Sequence, residues 1–125
     1  GSKFIPYLMK AFSENHEHIE LTDCLQKRDF IYIDDVVSAY LTVLASNETP
    51  SFAEYQVGLG YSIELRQMVE SIRGLYEKST SKIIYGARKQ RQNEIMDSFA
   101  SNENLIELGW RPKFNLTYGV SMLLF

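Results

Sequence analysis

The sequence predicts an α/β fold with mostly parallel strands, and three observations support this. Short β-branched or aromatic runs alternate along the chain with segments whose apolar residues recur at helical spacing. The chain has 125 residues, of which 45% are hydrophobic, which suffices for one domain with a buried core. It contains a single cysteine, so no disulfide within the chain can replace that core. Strands that alternate with helices are typical of parallel sheets covered by helices.

Charge and composition exclude several classes of function. The 13 Lys and Arg residues are outnumbered by 16 Asp and Glu, which argues against a nucleic-acid-binding protein. No apolar run reaches the roughly 18 residues of a membrane span, and the start does not resemble a secretory signal. A lone cysteine fits a reducing compartment. We therefore expect a soluble, cytoplasmic protein without a nucleic-acid or membrane partner.

The first third of the chain predicts a helix, a short strand and a strand–turn–helix unit. Phe4, Leu8 and Phe12 recur every four residues, which predicts a helix over residues 4–12, and residues 19–21 predict a strand. Over residues 28–46, the apolar run 30–33 predicts a strand covered on both faces, although the chain supplies few neighbours for it. Asp34 and Asp35 follow at the start of the next helix, where a carboxylate can accept free backbone N–H groups.

The middle of the chain continues the alternation. Residues 47–53 predict a loop, residues 55–57 a strand, and Gly58 with Gly60 a turn. Ser62 is a candidate N-cap for the helix that follows, in which apolar residues recur at helical spacing, namely Leu65, Val69, Ile72 and Tyr76.

The last third predicts a short strand, a loop and two helices. Residues 83–85 form the strand, and residues 86–94 are polar and aperiodic, as in a surface loop. A short helix from about Asn102 is expected to end at Gly109, and a last helix contains Leu116 and Val120.

Two basic positions are candidate anion sites. Arg28 precedes the hydrophobic run and could offer its planar fork to a phosphate, or pair with Asp29 or another surface acid. Arg88, Lys89 and Arg91 lie within four residues of an otherwise acidic chain. Such a local concentration suits a compact dianion such as a diphosphate, and a solvated loop is the alternative.

Other short motifs do not form a catalytic or metal site. Gly58-Leu59-Gly60 lacks the third glycine of a dinucleotide fingerprint, because that position is Ile63. Tyr85 and Lys89 have the Tyr-x-x-x-Lys spacing, but Tyr85 ends a strand-like run instead of lying on a helix. Cys24 has no adjacent histidine that would activate it.

Three segments together carry a family resemblance. The segment 26–37, Gln-Lys-Arg-Asp-Phe-Ile-Tyr-Ile-Asp-Asp-Val-Val, resembles the extended short-chain dehydrogenase/reductases that act on nucleotide sugars, the NAD(P)-dependent epimerases and dehydratases. Residues 55–60 resemble their strand and glycine turn, and residues 108–112, Leu-Gly-Trp-Arg-Pro, resemble their C-terminal signature. Residues 19–22 and 93–96 are similar to a CDP-abequose synthase-like branch.

The resemblance implies the C-terminal, substrate-binding portion of a Rossmann-type enzyme. Residues 1–125 would form a single nucleotide-sugar-binding domain. The family's cofactor fingerprint and catalytic residues lie in an N-terminal half that this chain lacks, so the resemblance assigns no catalytic or cofactor-binding residue here. NAD or NADP would be bound by that half, and the chain alone would be inactive.

The resemblance also implies a substrate site. Arg28 and Arg91 match arginines on the substrate diphosphate, Glu94 matches an acidic residue on the ribose hydroxyls, and Phe4 and Leu21 fall near positions that line the base. The implied partners are a nucleoside-diphosphate sugar and the N-terminal Rossmann half, while a homodimer stays open. A non-catalytic binding or regulatory protein that retains the fold is the alternative function.

Overall fold

The computed structural model describes residues 4–46 and 54–124, which divide between two compact units. Residues up to Lys27 together with Glu64–Met96 form unit 1, and Arg28–Ile63 together with residues from Asp97 onward form unit 2. The helices are α1 (Phe4–Ser13), α2 (Ile33–Ala45), α3 (Leu65–Arg73), α4 (Glu103–Glu107) and α5 (Leu116–Ser121), followed by a 3-10 helix over Met122–Leu124. The strands are β1 (His18–Glu20), β2 (Lys27–Arg28), β3 (Ile63–Glu64) and β4 (Lys82–Ile84). The single nucleotide-sugar-binding domain expected from the sequence stays a prediction.

Unit 1 contains a parallel strand pair and two helices. β1 pairs with β4 in parallel, with Ile19 opposite Ile83. A parallel pair needs a long crossover, and here it includes α3, so the predicted α/β character is confirmed. The apolar residues at helical spacing in α1 and α3 form the core with β1, and the fully buried ones are Leu8, Ile19, Val69 and Ile72. β2 and β3 form a separate two-stranded sheet.

The start of α3 corrects one expectation. Ser62 is not the N-cap, because the helix begins three residues later at Leu65. Glu64 caps it instead: its side chain accepts from the backbone of Gln67, and the Gln67 side chain accepts from the backbone N–H of Glu64. The Ser62 hydroxyl donates to the Asp97 carboxylate at 2.5 Å within unit 2.

Unit 2 packs around a tryptophan. Ala39 of α2, Leu105 of α4 and Trp110 are buried together, and the side chains packed against them are Ile31, Val43, Tyr55, Val57 and Ile106. The indole N–H of Trp110 donates to the Ser38 hydroxyl at 2.9 Å, which satisfies its one polar atom.

The predictions of two strands in unit 2 are wrong. Residues 30–32 and 55–57 have no strand conformation, and Ile33 begins α2 with 63% of its surface exposed. A strand requires a hydrogen-bonded neighbour, and within the described residues no other strand pairs with either segment. Both segments contribute side chains to the core instead, through Ile31, Tyr55 and Val57. The loop expected over residues 47–53 lies outside the described residues.

None of the helices described over 4–46 and 54–124 combines the length and apolar character that crossing a bilayer requires.

Candidate functional site

The five residues expected in the substrate site are divided between the two units. Phe4, Leu21, Arg91 and Glu94 belong to unit 1, whereas Arg28 belongs to unit 2. The convergence of Arg28 and Arg91 on one diphosphate stays a prediction, and the geometry that can be described is that of unit 1.

The basic loop of residues 86–94 is fixed to the segment that follows β1. The backbone N–H of Leu21 donates to Ile84 at 3.0 Å, and the backbone N–H of Arg88 donates to Leu21 at 3.1 Å. The first bond extends the pairing of β1 with β4 by one residue, and the second holds the loop to Leu21 after the chain has turned. Gly86 makes the turn with a φ of +82°, and a Cβ there would lie 2.8 Å from the Asp23 carboxylate. The start of the loop therefore has a defined position beside buried Leu21.

Arg91 and Glu94 lie at the two ends of one tight turn. The backbone N–H of Glu94 donates to the carbonyl of Arg91 at 3.2 Å, and Asn93 between them has a φ of +66°. Asparagine tolerates this left-handed conformation better than most side chains. Arg91 is exposed and Glu94 half-buried. The turn thus joins a cation and a carboxylate, one suited to a phosphate and the other to sugar hydroxyls.

The basic loop carries three exposed cations, Arg88, Lys89 and Arg91. Over residues 4–46 and 54–124, none of the three forms an ion pair. The Arg88 guanidinium lies over the ring of Tyr7 at 5.9 Å from its centroid. This loop therefore gives unit 1 a local positive surface beside α1, on a chain whose net charge is −3.

In unit 2, the residue after Arg28 has a structural role that the sequence did not reveal. The Asp29 carboxylate accepts from the backbone N–H groups of Leu59 at 2.9 Å, Gly60 at 3.0 Å and Ala100 at 3.1 Å. Gly58 lies so close that a Cβ there would be 2.5 Å from an Asp29 oxygen. Asp29 therefore joins the glycine turn and the chain near Ala100 to the residue beside Arg28.

The second carboxylate that sequence reasoning misjudged is Asp35. It was expected to cap α2, but the N-cap is Tyr32 and no side chain caps this helix. Asp35 is buried and accepts from the backbone N–H groups of Lys113 at 2.8 Å and Phe114 at 3.0 Å. Its partners are 78 and 79 residues away in the sequence, so a local sequence pattern could not predict these contacts.

Tyr85 and Lys89 lack the geometry of a catalytic pair, as expected. Tyr85 follows β4 directly and Gly86 turns the chain, so no helical turn separates the two residues. The Tyr85 hydroxyl donates to Glu70 at 2.8 Å. Burial, reinforced by this hydrogen bond and charge, raises the pKa of the Tyr85 phenol far above its ordinary value. A general base would need the opposite shift.

Cys24 is fully buried, and burial raises the pKa of its thiol. A buried, protonated thiol is a poor nucleophile, which agrees with the absence of an activating histidine beside Cys24 in the sequence. In the part of the chain that the structure describes, no cluster of three His, Cys, Asp or Glu side chains is placed to hold a metal ion.

Comparisons with known proteins bear on this site. Residues 1–58 match the sequence profile of the NAD dependent epimerase/dehydratase family. The chain is 42% identical over 125 residues to CDP-abequose synthase of Salmonella typhimurium, covering 98% of this chain and 42% of that protein. It is 46% identical over 124 residues to CDP-abequose synthase of Salmonella muenchen, covering 99% and 42%. The chain therefore spans less than half the length of these curated relatives.

A solved structure confirms the fold class. A UDP-glucose 4-epimerase of Thermotoga maritima, solved with UDP-glucose, superposes with a TM-score of 0.76 at 23% identity, covering 94% of this chain and 37% of that one. At this identity the likeness shows the fold alone, a part of the Rossmann-type architecture of such epimerases.

Proposed function

The chain belongs to the NAD dependent epimerase/dehydratase family, and from this premise we propose that it binds the nucleoside-diphosphate sugar of an NAD(P)-dependent enzyme. The enzyme would be an epimerase, dehydratase or reductase in carbohydrate biosynthesis, and this chain would hold its substrate. The observation that carries the proposal is the anchored basic loop of unit 1, in which Arg91 and Glu94 share one turn. The relatives at 42% and 46% identity are named for a CDP-sugar, so we propose cytidine diphosphate as the nucleotide.

Each proposed contact follows from the chemistry of the side chain. The Arg91 guanidinium would donate charge-assisted hydrogen bonds to the diphosphate, and the Glu94 carboxylate would accept from the ribose hydroxyls. Phe4 and Leu21 would supply apolar surface to the base. Arg28 of unit 2 keeps, as a proposal, the diphosphate role that the family resemblance implies.

The residues of the glycine turn do not fit a cofactor phosphate. A dinucleotide site offers the N–H groups of its glycine turn to a pyrophosphate. Here the N–H groups of Leu59 and Gly60 already donate to the Asp29 carboxylate, whose charge would repel a phosphate. We therefore propose that NAD or NADP binds to the part of the enzyme that corresponds to the rest of the relatives' length, and that this chain holds the substrate and takes no part in hydride transfer.

The diphosphate contact is tested by calorimetry of the chain with CDP and with cytidine. We expect CDP to bind more tightly, and Arg91→Ala to weaken CDP by about tenfold while leaving cytidine unchanged, because one charge-assisted hydrogen bond is lost. Arg73→Ala is the matched control, since its guanidinium pairs with Glu70 on the surface of α3. Equal affinity of the unsubstituted chain for CDP and cytidine would refute the proposal.

An exposed apolar surface of unit 2 supports the proposal that this chain has a protein partner. Five large apolar residues on α2, here called the α2 stripe, are between 50% and 80% exposed: Ile33, Val37, Tyr40, Leu41 and Leu44. Their helical spacing puts them along one side of the helix, and a continuous apolar stripe of this kind normally faces a protein partner. The curated relatives are more than twice as long as the matched region. We therefore propose that the cofactor-binding half of the same enzyme covers the α2 stripe.

Leu44→Glu tests this partner by comparing two proteins. In the 125-residue chain we expect an unchanged Tm, because Leu44 is 80% exposed there. In the enzyme that includes the cofactor-binding half, we expect Tm to fall by several degrees, because a carboxylate would be buried without a partner. Leu25→Glu, in unit 1 and outside the stripe, is the control. If Leu44→Glu lowers the Tm of the 125-residue chain itself, by an amount that depends on protein concentration, a second copy of the chain covers the stripe.

A further inference from the structure

The pair formed by Arg88 and Tyr7 has no part in the site assigned above. We propose that Arg88, held beside Tyr7, recognises the base of the bound nucleotide and selects cytosine over uracil. The inference rests on the proposed function, in that it requires a nucleotide to bind to unit 1.

The backbone of Arg88 is fixed by a hydrogen bond, whereas its guanidinium group is available to a ligand. Its N–H donates to the carbonyl of Leu21 at 3.1 Å, so its Cα is fixed beside that buried residue. Its guanidinium lies 5.9 Å from the Tyr7 ring centroid, within the range of a cation–π contact. Over the described parts of the chain, the guanidinium makes no hydrogen bond and no ion pair. All five of its N–H donors are therefore available to a ligand.

The neighbours of Arg88 favour the base over the diphosphate as its ligand. Leu21, to which Arg88 is bonded, is one of the two residues proposed to line the base. Tyr7 follows Phe4, the other one, by three residues on α1, so both side chains lie on the same side of that helix. Tyr7 is 38% exposed, so the ring that holds the Arg88 guanidinium lies at the surface, where a base can approach. Arg91, which is assigned to the diphosphate, lies three residues further along the loop.

A guanidinium distinguishes the two pyrimidines by the order of donors and acceptors on their edges. Cytosine presents N3 and O2 as adjacent acceptors, which a planar fork of two N–H donors can bind together. Uracil has an N3–H donor between its two carbonyl acceptors, and this donor would oppose the fork. One bidentate contact to a base edge is therefore expected to discriminate between the two bases by about tenfold in affinity. Ammonium groups lack the fork, so lysine cannot substitute.

The experiment is calorimetry of the full chain with CDP and with UDP. We expect CDP to bind about tenfold more tightly than UDP, and Arg88→Ala to reduce this ratio to near one. Arg88→Lys, which keeps the charge, should also lose the preference. Lys89→Ala removes a neighbouring exposed charge and should weaken both nucleotides alike with the ratio kept. Because Arg88 is exposed and alanine keeps its backbone bond to Leu21, these variants are expected to fold.

The outcomes separate this inference from the proposed function. Equal binding of CDP and UDP by the unsubstituted chain, or a preference that survives Arg88→Ala, overturns the base-reading role and leaves the diphosphate site standing. If neither nucleotide binds, the proposed function fails, and the inference fails with it.

Discussion

Asp35→Ala is expected to lower the free energy of unfolding of unit 2 by about 3–5 kcal/mol. The Asp35 carboxylate is buried and accepts two backbone N–H groups, from Lys113 at 2.8 Å and Phe114 at 3.0 Å. Alanine leaves both donors without an acceptor, and each charge-assisted bond contributes about 1.5–3 kcal/mol. Trp110 fluorescence during urea unfolding measures the loss, because the only tryptophan of the sequence lies in the core of unit 2.

Asp34→Ala is the matched control for this prediction. Asp34 carries the same charge in the same first turn of α2, but its side chain is exposed. Its removal should cost no more than about 0.3–1 kcal/mol, the worth of a carboxylate at a helix N-terminus. If both variants lower the free energy of unfolding of unit 2 equally, the effect comes from the loss of a negative charge at the start of α2. The two hydrogen bonds of Asp35 would then not account for it.

Four elements of unit 1, α1, β1, α3 and β4, were predictable because their signals are local, although the start of α3 was not. The spacing of Leu8 and Phe12 in α1, and of Val69 and Ile72 in α3, repeats with the helical period, and all four side chains are buried. The β-branched residues Ile19 and Ile83 likewise marked β1 and β4. Periodicity and propensity are properties of neighbouring residues, so no tertiary information was needed.

The strands expected in unit 2 failed because a strand depends on a partner far away in the sequence. Residues 30–33 have the composition of a strand buried on both faces, but composition cannot supply the neighbouring strand that would hold it. The exposed α2 stripe begins at the end of the same segment, at Ile33. Both observations have one explanation under the proposed function, since the residues that would cover them belong to the rest of the enzyme.

The candidate site was only partly accessible to sequence reasoning. Charge clustering singled out the loop that contains Arg88 and Arg91, but the family resemblance alone assigned roles to Arg91 and Glu94. The turn between them depends on the positive φ of Asn93, for which the sequence offered no clear signal. Asp29 and Asp35 were likewise missed, because a carboxylate that accepts distant backbone N–H groups has the same local sequence as a surface carboxylate.

Asp29→Ala is expected to destabilise unit 2 by about 2–4 kcal/mol, since three backbone N–H groups lose a charged acceptor in a half-buried setting where water can replace part of it. The glycine turn and the chain at Ala100 would both be released beside Arg28. Urea unfolding followed at Trp110 reports the stability, and calorimetry with CDP reports whether Arg28 depends on this network.

Asp97→Ala is the control for Asp29, because Asp97 is an exposed carboxylate of unit 2 that accepts from the Ser62 hydroxyl. It should cost less than about 1 kcal/mol, as exposed polar contacts do. Asp29→Asn separates charge from shape: its amide keeps one acceptor oxygen but turns an N–H₂ donor toward backbone donors, so it should be nearly as damaging as alanine. An Asn variant as stable as the original chain would show that the three N–H groups do not need the carboxylate, and that Asp29 does not hold the turn beside Arg28.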